Sequence, residues 1–266
     1  MKKHIENIKI INEGIRYDSQ SNSYLIDFNI DNKEDIIKLK GPDIYASELM
    51  SNVYWFGYSF DESVSRATRT KFINWLKGLD SSIPAPTEGQ YERLISKPLV
   101  ALDKKIGLNN IDLFVYPLSG RSNLVNYIIK VCDDALDRNI SDISIEMIKN
   151  MPQNITFDWD RFKREFSGDQ NRFKQMSDYI EILMEKIHHL DYFSIGRDVP
   201  TKYRRYIKDF LNIGAHYPMS KIEEAKSILI VDDISTSHAT LKYILSTLKG
   251  INNQIPIYIF TLIGKE

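Results

Sequence analysis

Apolar and polar positions alternate with two different periods along the chain, and the change of period predicts where its elements lie. Residues 7–17 and 23–30 are rich in Ile, Tyr and Phe and flank a polar stretch, a pattern typical of a β-hairpin. Ile36–Lys40 predicts a third short strand. Within residues 63–79 apolar side chains recur at helical spacing, which predicts a helix. The Pro- and Ser-containing stretch 81–86 interrupts this pattern and is interpreted as a linker.

After the linker, short apolar strands alternate with amphipathic helices. A helix with a kink at Pro98 comes first, and the segment 158–212 is charged and mostly helical. The predicted strands are residues 111–116, 144–148, 227–231 and 257–263. Strands that alternate with helices in this way indicate a parallel α/β sheet.

Length and composition fit a folded protein of one or two domains. The chain has 266 residues, of which 42% are hydrophobic and 27% charged, so it does not belong to the disordered class. Lys and Arg number 35 against 36 for Asp and Glu, a net charge of −1, which argues against nucleic acid or an anionic membrane as a partner. We predict an α+β accessory domain at residues 1–86 and an α/β domain at 87–266, with a helical insert at about residues 150–215.

The cysteine count and the hydropathy pattern indicate a cytoplasmic protein. Cys132 is the single cysteine, so neither an internal disulfide nor a four-cysteine zinc site can form. The first fourteen residues lack the apolar stretch of a signal peptide. The longest nearly apolar run, residues 255–263, is far shorter than the roughly 20 residues of a membrane span.

The most informative segment follows the strand at 227–231. Two adjacent carboxylates, Asp232 and Asp233, end the strand, and small hydroxyl residues lead from there into a helix. At the carboxyl edge of a parallel sheet, the hydroxyls and free N–H groups of a helix start can cradle a phosphate. The carboxylates are better suited to sugar hydroxyls or to a hydrated Mg²⁺. The combination therefore points to a phosphorylated sugar.

This loop resembles the ribose 5-phosphate loop of the type I phosphoribosyltransferases. Four apolar residues, two aspartates and a run of Thr and Ser match that pattern, at Asp232, Asp233, Thr236, Ser237 and Thr240. The order of the other parts, from about residue 92 to 266, is most similar to the ComF-like branch. The resemblance implies a Rossmann-like parallel α/β fold with a helical insertion, preceded by a small α+β domain.

The resemblance also implies roles for named residues. Asp232 and Asp233 would hold the ribose hydroxyls of phosphoribosyl pyrophosphate and bind Mg²⁺ through water. The 5-phosphate would lie in a cradle formed by Thr236, Ser237, His238, Ala239 and Thr240. Magnesium-bound pyrophosphate would meet Ser119, Gly120 and Arg121. The reaction would transfer the phosphoribosyl group to or from a nucleobase or a similar amine.

His238 departs from the family pattern, which has Gly at this position. Glycine lets the backbone approach a phosphate and tolerates positive φ, whereas His adopts such a conformation at some cost. The imidazole could crowd the phosphate or, if protonated, bind it. Two alternatives to an active transferase therefore stay open: a sugar-phosphate or nucleotide sensor, and an interaction protein whose accessory domain binds a protein partner. A homodimer is compatible with each.

A basic stretch at residues 197–208 carries five cationic side chains against one acidic one. We interpret it as an arm that closes over pyrophosphate, with Arg204 and Arg205 as catalytic residues, or else as a solvated helix face. The motifs of P-loop ATPases and of serine hydrolases with a nucleophile elbow are absent from the sequence.

Overall fold

The structure is a computed structural model. It describes residues 14–18, 23–27, 36–40, 45–50, 52–118, 123–136, 144–166, 168, 170–213, 217, 219–235 and 238–264. The strands are β1 (Gly14–Asp18), β2 (Ser23–Asp27), β3 (Ile36–Lys40), β4 (Tyr45–Leu49), β5 (Asn52–Phe60), β6 (Leu113–Pro117), β7 (Ser144–Lys149), β8 (Thr156–Phe157), β9 (Ile207–Lys208), β10 (Leu211–Ile213), β11 (Ile228–Ile234) and β12 (Ile257–Ile263). The helices are α1 (Arg66–Leu76), α2 (Glu88–Ile106), α3 (Leu124–Leu136), α4 (Trp159–Phe166), α5 (Gln170–His188), α6 (Ile195–Asp198), α7 (Ser220–Glu224) and α8 (Ala239–Ile251).

A mostly parallel sheet forms the centre of the α/β fold, as the alternation of strands and helices predicts. Among the described strands, ten join in one sheet, with the order β10-β7-β6-β11-β12-β5-β3-β1-β2 and β4 paired with β5. The five strands from β7 to β5 in this order run parallel. The outer strands β10, β4 and β3 pair antiparallel with their neighbours.

Helices cover both faces of this sheet. Leu229 and Val231 of β11 belong to a core cluster with residues of α1, α2 and α3, whereas Ile228 and Ile230 belong to a second cluster with residues of α5 and α8. All four side chains are fully buried. A strand buried on both faces shows a continuous apolar run, which is why residues 227–231 lack alternation.

Local sequence signals explain where the first helices begin. The Ser65 side chain accepts a hydrogen bond from the N–H of Thr68 and caps α1. Thr87 and Gln90 form a capping box at the start of α2, which then continues through Pro98 as one helix. Strand β1 pairs antiparallel with β2 and with β3, which agrees with the predicted hairpin and third strand over these residues. Residues 7–13 and 28–30 of the predicted hairpin lie outside the described ranges.

The predicted N-terminal segment contributes to the same sheet and core as the rest of the chain. Strand β5 pairs in parallel with β12, and Trp75 of α1 shares a core cluster with Leu94 of α2. The separate accessory domain proposed for residues 1–86 stays a prediction. The insert contains α4 and α5 but also the short antiparallel pair β8–β9 and strand β10, which the prediction of a mostly helical segment does not include.

Candidate functional site

The strand order places a crevice between the carboxyl ends of β6 and β11. The chain leaves β6 for α3 and then β7 on one side, and it leaves β11 for α8 and then β12 on the other. Because α3 and α8 lie on opposite faces of the sheet, the two connections diverge and open a crevice, where ligands bind in open α/β sheets. A cavity of about 170 Å³ lies there, and its walls include Lys77, Leu118, Lys149, Ile195, Gly196, Asp232, Asp233, His238, Ala239 and Thr240.

Asp232 and Asp233 lie at this edge, as the sequence predicts for the end of the strand. Both are buried, with 7% and 4% of their surface exposed. Asp232 Oδ1 accepts a hydrogen bond from the N–H of Asp233 at 2.9 Å. Burial, followed by the charge of Asp233, raises the pKa of Asp232 to about 7. Near neutral pH this carboxyl group can therefore gain or lose a proton. The ribose-binding and metal-binding roles of the pair stay predictions.

Lys77 is a member of the site that the sequence analysis did not single out. It follows α1, and its Nζ lies 2.9 Å from Asp233 Oδ1 and 2.8 Å from Oδ2. Burial acts to lower the pKa of Lys77, but the charge and hydrogen bond of Asp233 outweigh it, so the pKa lies above its usual value. The ammonium group therefore keeps its charge. The two partners are 156 residues apart in sequence, and no local pattern reveals such a pair.

Lys149 brings a second ammonium group to the crevice. It is the last residue of β7, so its position at the carboxyl end of a parallel strand is a signal that sequence reasoning could have used. Its Nζ donates a hydrogen bond to Tyr192 Oη at 2.5 Å and lies 4.7 Å from the centre of that ring. Tyr192 therefore fixes the position of this cation at the cavity wall.

His238 precedes α8 in a left-handed backbone conformation, with φ 55° and ψ 14°. Glycine adopts this conformation more readily than a residue with a side chain. The carbonyl of His238 accepts the N–H of Lys242 at 2.8 Å, and its ring packs edge-on against Tyr54 with 4.9 Å between centres. Ala239 and Thr240 form the first turn of α8 and line the cavity.

Several predicted binding residues lie outside the described part of the chain. These are Thr236 and Ser237 of the phosphate cradle and Ser119, Gly120 and Arg121 of the pyrophosphate loop. Their roles stay predictions.

The basic stretch at residues 197–208 makes contacts within the insert. Arg204 donates to the carbonyl of Val199 at 2.8 Å and to that of Gly196 at 2.6 Å. Arg205 pairs with Glu165 at 2.7 Å. Neither arginine lines the cavity, but Gly196 does, so Arg204 supports one of its walls. Burial lowers the pKa of Arg204. The catalytic roles of Arg204 and Arg205 stay predictions.

The described residues of the crevice do not form a metal site by themselves. Within the described ranges, no group of three His, Cys, Asp or Glu side chains is arranged to hold a metal ion. Lys77 already neutralises Asp233, and burial favours the uncharged form of Asp232. Neither carboxylate is therefore a strong ligand for a metal ion on its own, and the binding of Mg²⁺ through water by this pair stays a prediction.

Comparison with known proteins finds a distant structural likeness. No family model matches the chain, and no curated protein matches it. A hypoxanthine phosphoribosyltransferase from Staphylococcus aureus is similar over 67% of this chain and 65% of its own, with a TM-score of 0.34 and 16% sequence identity. The match thus spans slightly less than two thirds of that enzyme, and at these values it identifies neither a family nor a function. None of the helices in the described segments is both long and apolar enough to cross a membrane.

Proposed function

We propose that this protein binds a 5′-phosphorylated pentose, either magnesium phosphoribosyl pyrophosphate or a nucleoside 5′-phosphate, in the crevice between β6 and β11. One observation supports this proposal most. Asp232 and the start of α8 lie together at the topological switch point of the sheet, where the strand order reverses. Carboxyl oxygens for sugar hydroxyls and a helix start for a phosphate then lie side by side. The sequence of this strand–loop–helix segment resembles the ribose 5-phosphate loop of the type I phosphoribosyltransferases.

The proposed reaction is transfer of the phosphoribosyl group to or from a nucleobase or a similar amine. In the forward direction a bond forms between the amine nitrogen and C1 of the ribose, while the bond from C1 to pyrophosphate breaks. Positive charge develops on the sugar, so electrostatic positioning contributes more than covalent catalysis. Mg²⁺ would neutralise the leaving pyrophosphate. Asp232 would orient the ribose, and the first turn of α8, with Ala239 and Thr240, would hold the 5-phosphate.

A sensor that binds this ligand without turning it over is the second candidate, and two observations favour it. His238 places a side chain at a backbone position with φ 55°, where the related loops have glycine. Lys77 engages both oxygens of Asp233, which removes one of the two carboxylates expected to bind ribose.

Thermal unfolding followed by an activity assay separates the candidates. The protein is heated with Mg²⁺ and phosphoribosyl pyrophosphate, and with ribose 5-phosphate as a second ligand, and release of pyrophosphate is then measured with a panel of nucleobases. A rise in Tm with pyrophosphate release supports the transferase, and a rise in Tm alone supports the sensor. No shift at millimolar ligand contradicts both and leaves a scaffold for protein partners.

A further inference from the structure

Lys77 reaches the crevice from the part of the chain before the predicted linker, and it contacts one of the two central carboxylates. We infer that Lys77 is an anion-binding residue of the crevice, that Asp233 positions it, and that Asp232 alone is left to bind the sugar. The inference rests on the proposed function and deepens it, because it assigns the phosphate or diphosphate of the ligand to a residue outside the family-like segment.

The hydrogen bonds of the two aspartates differ. Asp233 Oδ1 accepts hydrogen bonds from Lys77 Nζ at 2.9 Å and from the N–H of Ile234 at 2.6 Å, and Oδ2 forms an ion pair with Lys77 Nζ at 2.8 Å. Both oxygens of this carboxylate are therefore engaged within the protein. The carboxyl group of Asp232 accepts the N–H of Asp233 at Oδ1 and lies at the cavity wall. The two adjacent acids are therefore not equivalent toward a ligand.

The position of Lys77 is built into the core. The preceding turn of α1 contributes Trp75 and Leu76, both fully buried. Trp75 Nε1 donates to the carbonyl of Pro84 at 2.9 Å, and Tyr91 Oη donates to the carbonyl of Leu76, directly before Lys77, at 2.9 Å. These contacts hold the backbone at the end of α1. A charge delivered by a rigid element binds with a smaller loss of conformational entropy than one on a mobile chain.

Two ammonium groups act on the same part of the crevice. The charges of Lys77 and Lys149 both favour the ionised form of Asp232, so both lie near its carboxyl group. Tyr192, which accepts a hydrogen bond from Lys149, also contributes to the raised pKa of Lys77. The cavity wall includes both of these ammonium groups, and compact ammonium groups suit a phosphate or a diphosphate.

Calorimetric titration with inorganic pyrophosphate and with phosphoribosyl pyrophosphate, each with Mg²⁺, tests this assignment. Lys77→Met removes the charge at similar length, and Lys77→Gln removes it while keeping a donor for Asp233. Lys174→Met, at an exposed position on α5, is the matched control for the charge change. We expect both Lys77 variants to bind pyrophosphate about 10- to 100-fold more weakly, the range for a charged hydrogen bond, and the control to bind as the wild type does. Melting temperatures establish that each variant is folded.

The ratio of the two affinities tests the roles of the aspartates. Asp232→Asn should weaken the binding of phosphoribosyl pyrophosphate more than the binding of pyrophosphate. Asp233→Asn should leave the ratio of the two affinities unchanged. Equal pyrophosphate affinity in the Lys77 variants and the control overturns the inference while the proposed function stands. Lys77-dependent pyrophosphate binding without any gain from the ribose supports the anion-binding role of Lys77 and contradicts both the sugar-binding role of Asp232 and the proposed function. If the wild type binds neither ligand, both are wrong.

Discussion

At the residue scale, His238 has a backbone conformation that glycine adopts far more readily than a residue with a side chain. Its φ of 55° places the Cβ atom close to the backbone, a cost that is lower for Asn, Asp and His than for most residues but absent for Gly. The ring compensates in part through its edge-on contact with Tyr54. The residue therefore combines a local strain with a packing contact.

Substitution of His238 separates these two effects. Ala and Gly both remove the ring, but only Ala keeps a Cβ atom at positive φ, so we expect His238→Gly to be more stable than His238→Ala by about 1 kcal/mol. Urea unfolding of the two variants gives this difference. The ring packs against Tyr54, and glycine lets the backbone come closer to a phosphate. We therefore also expect His238→Gly to bind ribose 5-phosphate more tightly than the wild type. An Ala variant as stable as the Gly variant would contradict the strain, and weaker binding by the Gly variant would make His238 a phosphate ligand.

Asp232 should make the stability of the protein depend on pH. Since burial and the charge of Asp233 raise its pKa to about 7, the folded state retains a proton that the unfolded chain releases at lower pH. This contribution is complete below about pH 4 and is lost as the pH rises through about 7. Asp232→Asn is uncharged throughout, so from about pH 4 to pH 7 the wild type should lose unfolding free energy relative to this variant, and the difference should level off above pH 7. Exposed Asp134→Asn serves as the control, and a difference that does not vary with pH would contradict the expectation.

At the element scale, the insert forms one wall of the crevice through α6. Ile195 and Gly196 line the cavity, and the guanidinium group of Arg204 holds the carbonyls of Gly196 and Val199. The basic stretch thus acts through the backbone of a neighbouring element.

Removal of the Arg204 side chain should therefore affect stability. We expect Arg204→Ala to lower the unfolding free energy by about 1–2 kcal/mol, because the carbonyl of buried Val199 and that of exposed Gly196 both lose their charged donor. Lys202→Ala, at an exposed position in the same stretch, should change it little. Chemical denaturation measures both. A variant with normal stability and a large loss of transferase activity would instead support the catalytic role predicted for Arg204.

The elements most accessible to prediction are those with a long periodic or apolar signal. Strand β12 has the predicted bounds, Ile257–Ile263, because a continuous apolar run defines a strand buried on both faces. Strands β8 and β9 contain two residues each, too few to show a period. Asp232 and Asp233 could be placed at the sheet edge from their strand alone, whereas the ion pair from Lys77 depends on how α1 packs against the sheet.

At the scale of the whole molecule, the near-neutral charge of the chain conceals a locally charged crevice. The net charge is −1 over 266 residues, yet one cavity at the sheet edge is lined by two cationic and two acidic side chains, those of Lys77, Lys149, Asp232 and Asp233. Lys77 comes from the segment before residue 86, so the site draws on both parts of the predicted division. The packing of β5 against α2 joins these parts: a Cβ atom on Gly57 would lie 2.6 Å from Pro98 Cβ.

Gly57→Ala tests this packing. We expect a loss of more than about 2 kcal/mol in unfolding free energy, since neither the central strand nor the helix can move without disturbing the core. Gly89→Ala in α2 is the matched control: a Cβ atom there meets nothing within 4 Å, and alanine favours the helix. Thermal or urea unfolding compares the two. Similar stabilities would show that β5 and α2 do not pack closely.

Hydrogen–deuterium exchange with and without magnesium phosphoribosyl pyrophosphate tests the central claim most directly. The ligand should slow exchange in peptides from the end of β11 into the first turn of α8, and at the end of α1 beside Lys77, while α4 and the hairpin of β1 and β2 exchange as before. Protection confined to other regions, or no protection at millimolar ligand, would contradict a sugar-phosphate site in this crevice.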